Sequence, residues 1–217
     1  MRIAVDGMGG DNAPREIVKG CVEVSKLISD EIIIVGDKTQ IQNELRKYRY
    51  NKKQIKIVHA PEVIKNEDAP VRAVRTKVES SLVKGINLVK DKEADLLISA
   101  GNTGAIMAGG LFILGRIQGI DRPAIAATYP VMGRRGVSLL VDAGANVECK
   151  PNNLLEFATM GSIYMQKVLD IERPTVGLVN IGTEENKGTT VVRAAYELLE
   201  KSSLNFIGNI EAREIPK

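Results

Sequence analysis

The sequence predicts an α/β fold, a layered α/β/α arrangement around a mostly parallel sheet. Short apolar runs alternate with longer segments of helical period, which is the pattern of repeated βα units. Several of the short runs are apolar at every position, as strands covered on both faces are. The 217 residues fit one domain spanning 1–217, and a globule of that size hides roughly 70% of the surface its unfolded chain exposes.

Arg2–Val5 opens as a strand. Asn12 is placed to cap a first helix whose early turn holds Pro14, and Ile17, Val18, Cys21, Val22 and Val24 to Leu27 give it a broad apolar stripe. Strands follow at Ile32–Val35 and Ile55–His59, with a helix over Lys38–Tyr48 between them. A helix over Ser80–Lys90 leads into the strand Leu96–Ser99, and Thr103–Leu114 reads as the next helix. Leu96–Gly115 carries no charge, which raises the question of a membrane span. Asn102, Thr103 and Gly101, Gly104, Gly109, Gly110 and Gly115 favour a buried strand, a glycine turn and a helix instead. Strands at Ala124–Thr128 and Val137–Val141, a helix over Asn153–Val168, a strand at Val176–Asn180, a helix over Thr189–Lys201 and a strand at Phe206–Ile207 complete the reading. Right-handed crossovers are expected between parallel strands.

Composition narrows the function. Aromatic residues make up 4% and Trp is absent, so the core is aliphatic and stacking platforms for nucleic acid are not expected. A net charge of +3 is too small to imply a coat for a polyanion. Arg46, Lys47, Arg49, Lys52, Lys53 and Lys56 lie close together, either as a solvated face or as a dock for an acidic partner. Cys21, Cys149 and a single His, His59, supply neither a disulfide framework nor a Cys/His zinc site, and a reducing cytoplasm fits them. The opening M-R-I-A-V-D-G lacks the apolar run and small-residue cleavage site of a signal peptide, so no export is inferred.

Open α/β sheets place ligands beyond the carboxyl ends of their strands, and four segments there are unusual. They are D-G-M-G-G-D-N-A-P at Asp6–Pro14, A-G-N-T-G-A at Ala100–Ala105, D-A-G-A-N-V at Asp142–Val147 and I-G-T-E-E-N-K-G-T-T at Ile181–Thr190. Glycine lets backbone amides approach a ligand, and a helix N-terminus adds unpaired N–H groups, so phosphate is the natural guest. Neither G-x-x-x-x-G-K-[ST] nor G-x-G-x-x-G occurs, which disfavours a standard nucleoside-triphosphate or dinucleotide site. Asn102 and Thr103 either donate to phosphate or a carbonyl oxygen or simply cap a helix. Asp142 and Asn146 either organise their loop or line the site. Lys187, in a glycine-flanked loop before a helix, is the leading candidate to neutralise phosphate or a developing oxyanion, against the plainer reading of an exposed loop lysine. His59 reads as structural more readily than as a general base, and Cys149 as an inert thiol more readily than as a nucleophile.

Taken in order, these strings resemble the phosphate acyltransferase family (PlsX) across essentially the whole chain. The resemblance rests on A-V-D-G-M-G-G-D-N-A-P, S-A-G-N-T-G-A at Ser99–Ala105, G-I-D-R-P-A at Gly119–Ala124 and D-A-G-A-N-V at Asp142–Val147. It continues through F-A-T-M-G-S at Phe157–Ser162, N-I-G-T-E-E-N-K-G at Asn180–Gly188 and F-I-G-N-I-E-A-R at Phe206–Arg213. The resemblance implies transfer of a fatty acyl group from acyl carrier protein to inorganic phosphate, giving acyl phosphate for phospholipid synthesis. It also implies a fold similar to the isocitrate dehydrogenase and phosphotransacetylase group, a homodimer, and a cytoplasmic enzyme peripherally associated with the membrane. No metal or organic cofactor is expected. Arg75–Ser81 resembles a family segment usually richer in Arg and Lys, with Thr76 and Val78 as departures. Family chains run well past Ile215-Pro216-Lys217, so the sequence is expected to lack the C-terminal part of the family fold.

On this reading Lys187, Asn102, Asp142 and Asn146 are the candidate catalytic residues. Asp6, Gly9, Gly10, Asp11, Asn12, Gly101, Thr103, Gly104, Gly182 and Gly188 are the candidate substrate-binding set. The expected mechanism is direct attack by a bound phosphate oxygen on the thioester carbonyl, because no nucleophile–base pair is apparent. An acyl-Cys149 intermediate is the rival route. A short-chain phosphotransacetylase-like enzyme and a non-catalytic phosphate- or acyl-binding module are the alternative functions.

Overall fold

Alternation along the first strands decides how the sheet is covered. In the computed structural model, which describes residues 1–132 and 136–215, Ile3 and Val5 face one side and Ala4 the other. Ile32 and Ile34 likewise oppose Ile33 and Val35, as the two-residue period of a strand requires. These strands are β1 (Arg2–Asp6) and β2 (Glu31–Gly36). With β3 (Ile55–His59) and β4 (Leu96–Ile98) they form a parallel sheet in the order β3-β2-β1-β4, with Val5 in register with both Ile34 and Ile98.

Helices cover both faces. Val18, Cys21 and Val22 of α1 (Arg15–Val24) and Ile41 and Leu45 of α2 (Lys38–Leu45) meet one side, and Leu88 and Val89 of α4 (Ser81–Lys90) pack on the other. Burying an Ile such as Ile34 contributes roughly 1.5–3 kcal/mol, and truncating it to Ala costs about 2–5 kcal/mol. Between β3 and α4 lies α3 (Pro70–Thr76), which turns Ala73 and Val74 into a satellite core with Leu82, Ile86 and Ala105. The last helix here is α5 (Thr103–Gly109), followed by a π turn at Gly110–Leu114.

Contacts divide the chain into two compact units, Met1–Arg116 and Ile117–Lys217, where the sequence reading treats it as one domain. In the second unit β5 (Ala126–Pro130) runs antiparallel to β6 (Val137–Val141). Helix α6 (Pro151–Val168) buries Phe157 and packs on β6, on β7 (Thr175–Asn180) and on α7 (Thr190–Glu200). β7 pairs in parallel with β8 (Asn205–Glu211), and Tyr196 of α7 meets Phe206 of β8 edge to face at 5.1 Å.

The sequence expectations hold in outline, with local corrections. Asn12 does not cap α1: Pro14 occupies the N-cap without a side-chain bond, and the helix stops at Val24, leaving Leu27 82% exposed. No helix was anticipated at Pro70–Thr76. The expected Thr103–Leu114 helix changes to π geometry after Gly109, and β8 continues to Glu211 instead of ending at Ile207. Ser80 and Thr189 are N-caps, their hydroxyls accepting from the amides of Val83 and Val192.

Candidate active site

Two loops leave the adjacent carboxyl ends of β1 and β4, and they are bound to each other. The Asp6 carboxylate, 3% exposed, accepts from the Met8 amide at 3.2 Å and from the Ser99 hydroxyl at 2.8 Å. Ser99 in turn accepts from the Gly101 amide at 3.1 Å. Gly9 and Gly101 are needed because the backbones touch: a Cβ on Gly101 would lie 3.2 Å from the Gly9 Cα. Asp11 accepts from the Asn66 side chain at 3.2 Å, so a third segment joins the cluster.

Asn102 is the hub of that junction. Its Oδ1 caps α5 by accepting from the Ala105 amide at 2.9 Å. Its Nδ2 donates to the carbonyls of Lys65, Asn66 and Asp68 at 3.1, 3.2 and 3.2 Å. The residue is 9% exposed, and the bonds place it as a clasp between α5 and residues 65–68. Thr103 begins α5 with an exposed side chain, a Cβ on Gly104 would lie 2.7 Å from Pro70 Cγ, and Asn12 is exposed on the β1–α1 loop. Lys77 secures the clasp by pairing with Asp68 at 2.5 Å and donating to the Val63 carbonyl. Hydrogen bonds to Lys77 and to the Lys65 amide hold the Asp68 carboxyl below the usual range. Arg75 lies over the Phe112 ring at 5.0 Å.

In the second unit, Asp142 and Asn146 organise the loop after β6. Asp142 accepts from the amides of Ile125, Ala145 and Asn146 at 2.8, 3.2 and 2.8 Å, and from Asn146 Nδ2 at 3.1 Å. Partial burial works to raise its pKa, but these bonds together outweigh burial and hold the carboxyl below its ordinary value. Asn146 Nδ2 also donates to the Pro123 carbonyl at 2.9 Å, tying Asp121–Pro123 to the loop.

The loop between β7 and α7 is different in kind. Lys187 stands 47% exposed, with its ammonium 4.0 Å from Glu184 Oε1, too far for a tight pair. Its backbone is fixed nonetheless: the amide donates to the Glu184 carbonyl at 3.1 Å, and its carbonyl accepts from Asn180 Nδ2 at 3.1 Å. Gly188 follows with φ +86°, where a Cβ would meet Asn180 Oδ1 at 2.6 Å, so the turn beside Lys187 requires glycine. A Cβ on Gly182 would sit 3.2 Å from Lys187 Cγ. The arrangement presents a cation from a rigid turn at the carboxyl end of a parallel strand.

The residues outside these loops take structural places. His59 Nδ1 accepts from the Lys38 amide at 3.2 Å, at the first turn of α2. Cys21 is buried, which pushes its thiol up to about 11, and Cys149 is half-buried. Of the basic run, Lys47 pairs with Glu44 and Lys56 with Glu31, each at 2.7 Å. Among the described residues no group of three or more His, Cys, Asp or Glu is disposed to hold a metal, and no helix is long and apolar enough to cross a membrane. Sequence reasoning missed Ser99, Asn66 and Asn180; a polar residue at a strand end beside a glycine loop was the signal for Ser99 and Asn180, whereas Asn66 gave none.

The whole of residues 1–217 matches a family described as fatty acid synthesis protein. The chain belongs to that family. A phosphate acyltransferase of Alkaliphilus oremlandii is 56% identical over 216 residues, covering 100% of this chain and 64% of the relative. A phosphate acyltransferase of Clostridioides difficile is 52% identical over 215 residues, covering 99% and 63%. The chain thus spans about 64% of the length of such family relatives. In fold it is similar to a phosphotransacetylase from Streptococcus pyogenes, with a TM-score of 0.71 at 20% identity over 97% of this chain and 68% of that one. The EutD phosphotransacetylase from Staphylococcus aureus gives a TM-score of 0.67 at the same identity and coverage. The α/β fold of this family member is therefore the fold of phosphotransacetylases.

Proposed function

We propose that this family member takes part in transfer of a fatty acyl group from acyl-acyl carrier protein to inorganic phosphate, forming acyl phosphate for phospholipid synthesis. The observation that carries the reading is Lys187, an accessible cation on a fixed glycine turn beyond a strand end. The names of relatives more than half identical support the phosphate and acyl substrates.

A phosphate oxygen attacks the thioester carbonyl, and the tetrahedral oxyanion collapses as the C–S bond breaks. The electron pair leaves on the carrier thiolate, which takes up a proton from solvent. Lys187 offsets charge on phosphate and on the oxyanion. Each unit brings a glycine loop suited to an anion, 101–104 with Thr103 in the first and 181–188 with Lys187 in the second, while Asn102, Asp142 and Asn146 organise their own loops. The same reading extends to a homodimer, peripherally attached to the cytoplasmic face of the membrane, supported by the resemblance of the ordered motif strings.

Release of carrier thiol from acyl-acyl carrier protein, followed with and without phosphate, tests the reading. Phosphate-dependent release is expected, and a preference for acyl-coenzyme A would favour a phosphotransacetylase-like donor instead. Labelled acyl group trapped on Cys149 without phosphate would replace direct attack by the acyl-enzyme route.

A further inference from the structure

Asn209 sits on β8 directly after an irregularity in its pairing with β7. Val176 is opposite Phe206 but Leu178 is opposite Asn209, so β8 fits one more residue than β7 into that interval. Gly208 absorbs the difference with φ +91°. An extra residue reverses the alternation beyond it, and so decides which side chain turns inward.

The inward side chain is an amide. Asn209 is 5% exposed, and its Nδ2 donates at 2.9 Å to the carbonyl of Glu184, 25 residues earlier in the chain. That carbonyl is the one that also accepts the Lys187 amide at 3.1 Å. Asn180 holds the Lys187 carbonyl, so the residue is gripped on both sides, directly by Asn180 and through Glu184 by Asn209. The other end of the Asn209 amide brings no such return. Its Oδ1 is buried without a hydrogen-bond partner among the described residues, which burdens folding. An apolar strand residue would avoid that burden but would leave the Glu184 carbonyl with the Lys187 amide as its sole donor of the two.

We propose that Asn209 is a positioning residue for Lys187, holding the turn from which its ammonium reaches phosphate. The proposal rests on the charge-stabilising reading of Lys187 given above. Asn209 touches no substrate; it acts through the Glu184 carbonyl, and a small displacement of a catalytic group is enough to lower turnover strongly.

The test is Asn209→Val in the full chain, which removes both polar ends and keeps a side chain suited to strands. The melting temperature is expected to be no lower than the parent's, while phosphate-dependent turnover falls about 10- to 100-fold. Amide exchange should quicken at 184–188 with β7 and α7 still protected. In a Lys187→Ala background the same substitution should lower turnover by less than about twofold, because the two residues act as one unit. Unchanged turnover in folded Asn209→Val, or the full loss repeated in the Lys187→Ala background, would overturn the proposal. Should Asn209→Val misfold, Asn209→Asp decides the matter through its pH profile. A carboxyl donates to Glu184 only when protonated, so turnover relative to the parent should recover as pH falls from about 8 to about 5, and a flat ratio would count against it. If Lys187→Ala alone leaves turnover intact, the reading of Lys187 fails, and exchange at 184–188 still decides whether Asn209 holds the turn.

Discussion

The loop after β4 and the loop after β7 both lead through glycine from a parallel strand into a helix, yet their key side chains serve opposite ends. Asn102 is buried and engages four backbone groups at once. Lys187 is half exposed, its backbone bound on both sides and its ammonium 4.0 Å from Glu184. The first is a joint of the scaffold, and the second is a group held out from one. A polar residue in a glycine loop is therefore read by where its hydrogen bonds go, not by its residue type.

Removing the two side chains breaks the comparison most sharply. Lys187→Ala is expected to lower turnover by roughly 10²–10³-fold, as loss of an oxyanion donor does, with little change in melting temperature. Near-normal turnover in the folded variant would remove Lys187 from the mechanism. Asn102→Ala should behave the other way and lower stability by about 2–4 kcal/mol in denaturant melts, through a lost cap and three carbonyls left without that donor. Asn102→Ser, which keeps a capping oxygen and loses the clasp, should fall between the two proteins; a melt as low as the Ala variant's would show that the cap contributes nothing.

Gly188→Ala sharpens the comparison from the backbone side. At φ +86° it should cost about 1–2 kcal/mol and also disturb Asn180 and turnover, whereas loss of stability alone would detach the turn from catalysis. Asp142 supplies a pH-dependent effect of smaller size. Its folded-state pKa is depressed, so its contribution is present above the ordinary unfolded value of about 3.9 and disappears as pH falls through the lower folded value. Asp142→Asn should flatten the stability profile in that acid window and leave the profile above it parallel to the parent's. Smallest is the effect of salt on productive encounter with an acidic carrier through Arg46–Lys56, where Lys47 and Lys56 are already paired within the chain. A Michaelis constant for acyl-acyl carrier protein that ignores ionic strength would exclude that face as the dock.

Strong period made most of this fold legible. The apolar runs of β1 and β2 appear where the sequence puts them, because burial on both faces leaves no competing pattern, and the α1 stripe holds at Val18, Cys21 and Val22 but not from Val24 to Leu27. What escaped was short or broken by glycine. Pro70–Thr76 has seven residues and turns only Ala73 and Val74 inward, too few to set a helical period. Gly208 and Asn209 interrupt the apolar run of β8 after Ile207, although they form the bulge that continues the strand. The site loops were legible from glycine and polar clustering, but the division of labour within them was not. Asn102 and Asp142 read equally as ligands or organisers in sequence, and the partners that settle their geometry, Lys65 to Asp68 and Ile125, lie 17 to 37 residues away.

On the proposed function, phosphate is recognised at the glycine turn of residues 181–188, with Lys187 supplying the charge, and the 101–104 loop is a second anion-binding candidate in its own unit. Backbone amide shifts followed by nuclear magnetic resonance during titration with inorganic phosphate test it most directly. Saturable shifts are expected at 181–188 and at 101–104, those at 181–188 abolished in Lys187→Ala, with Arg46–Lys56 unmoved. Shifts confined to the basic run, or none that saturate at either loop, would contradict it.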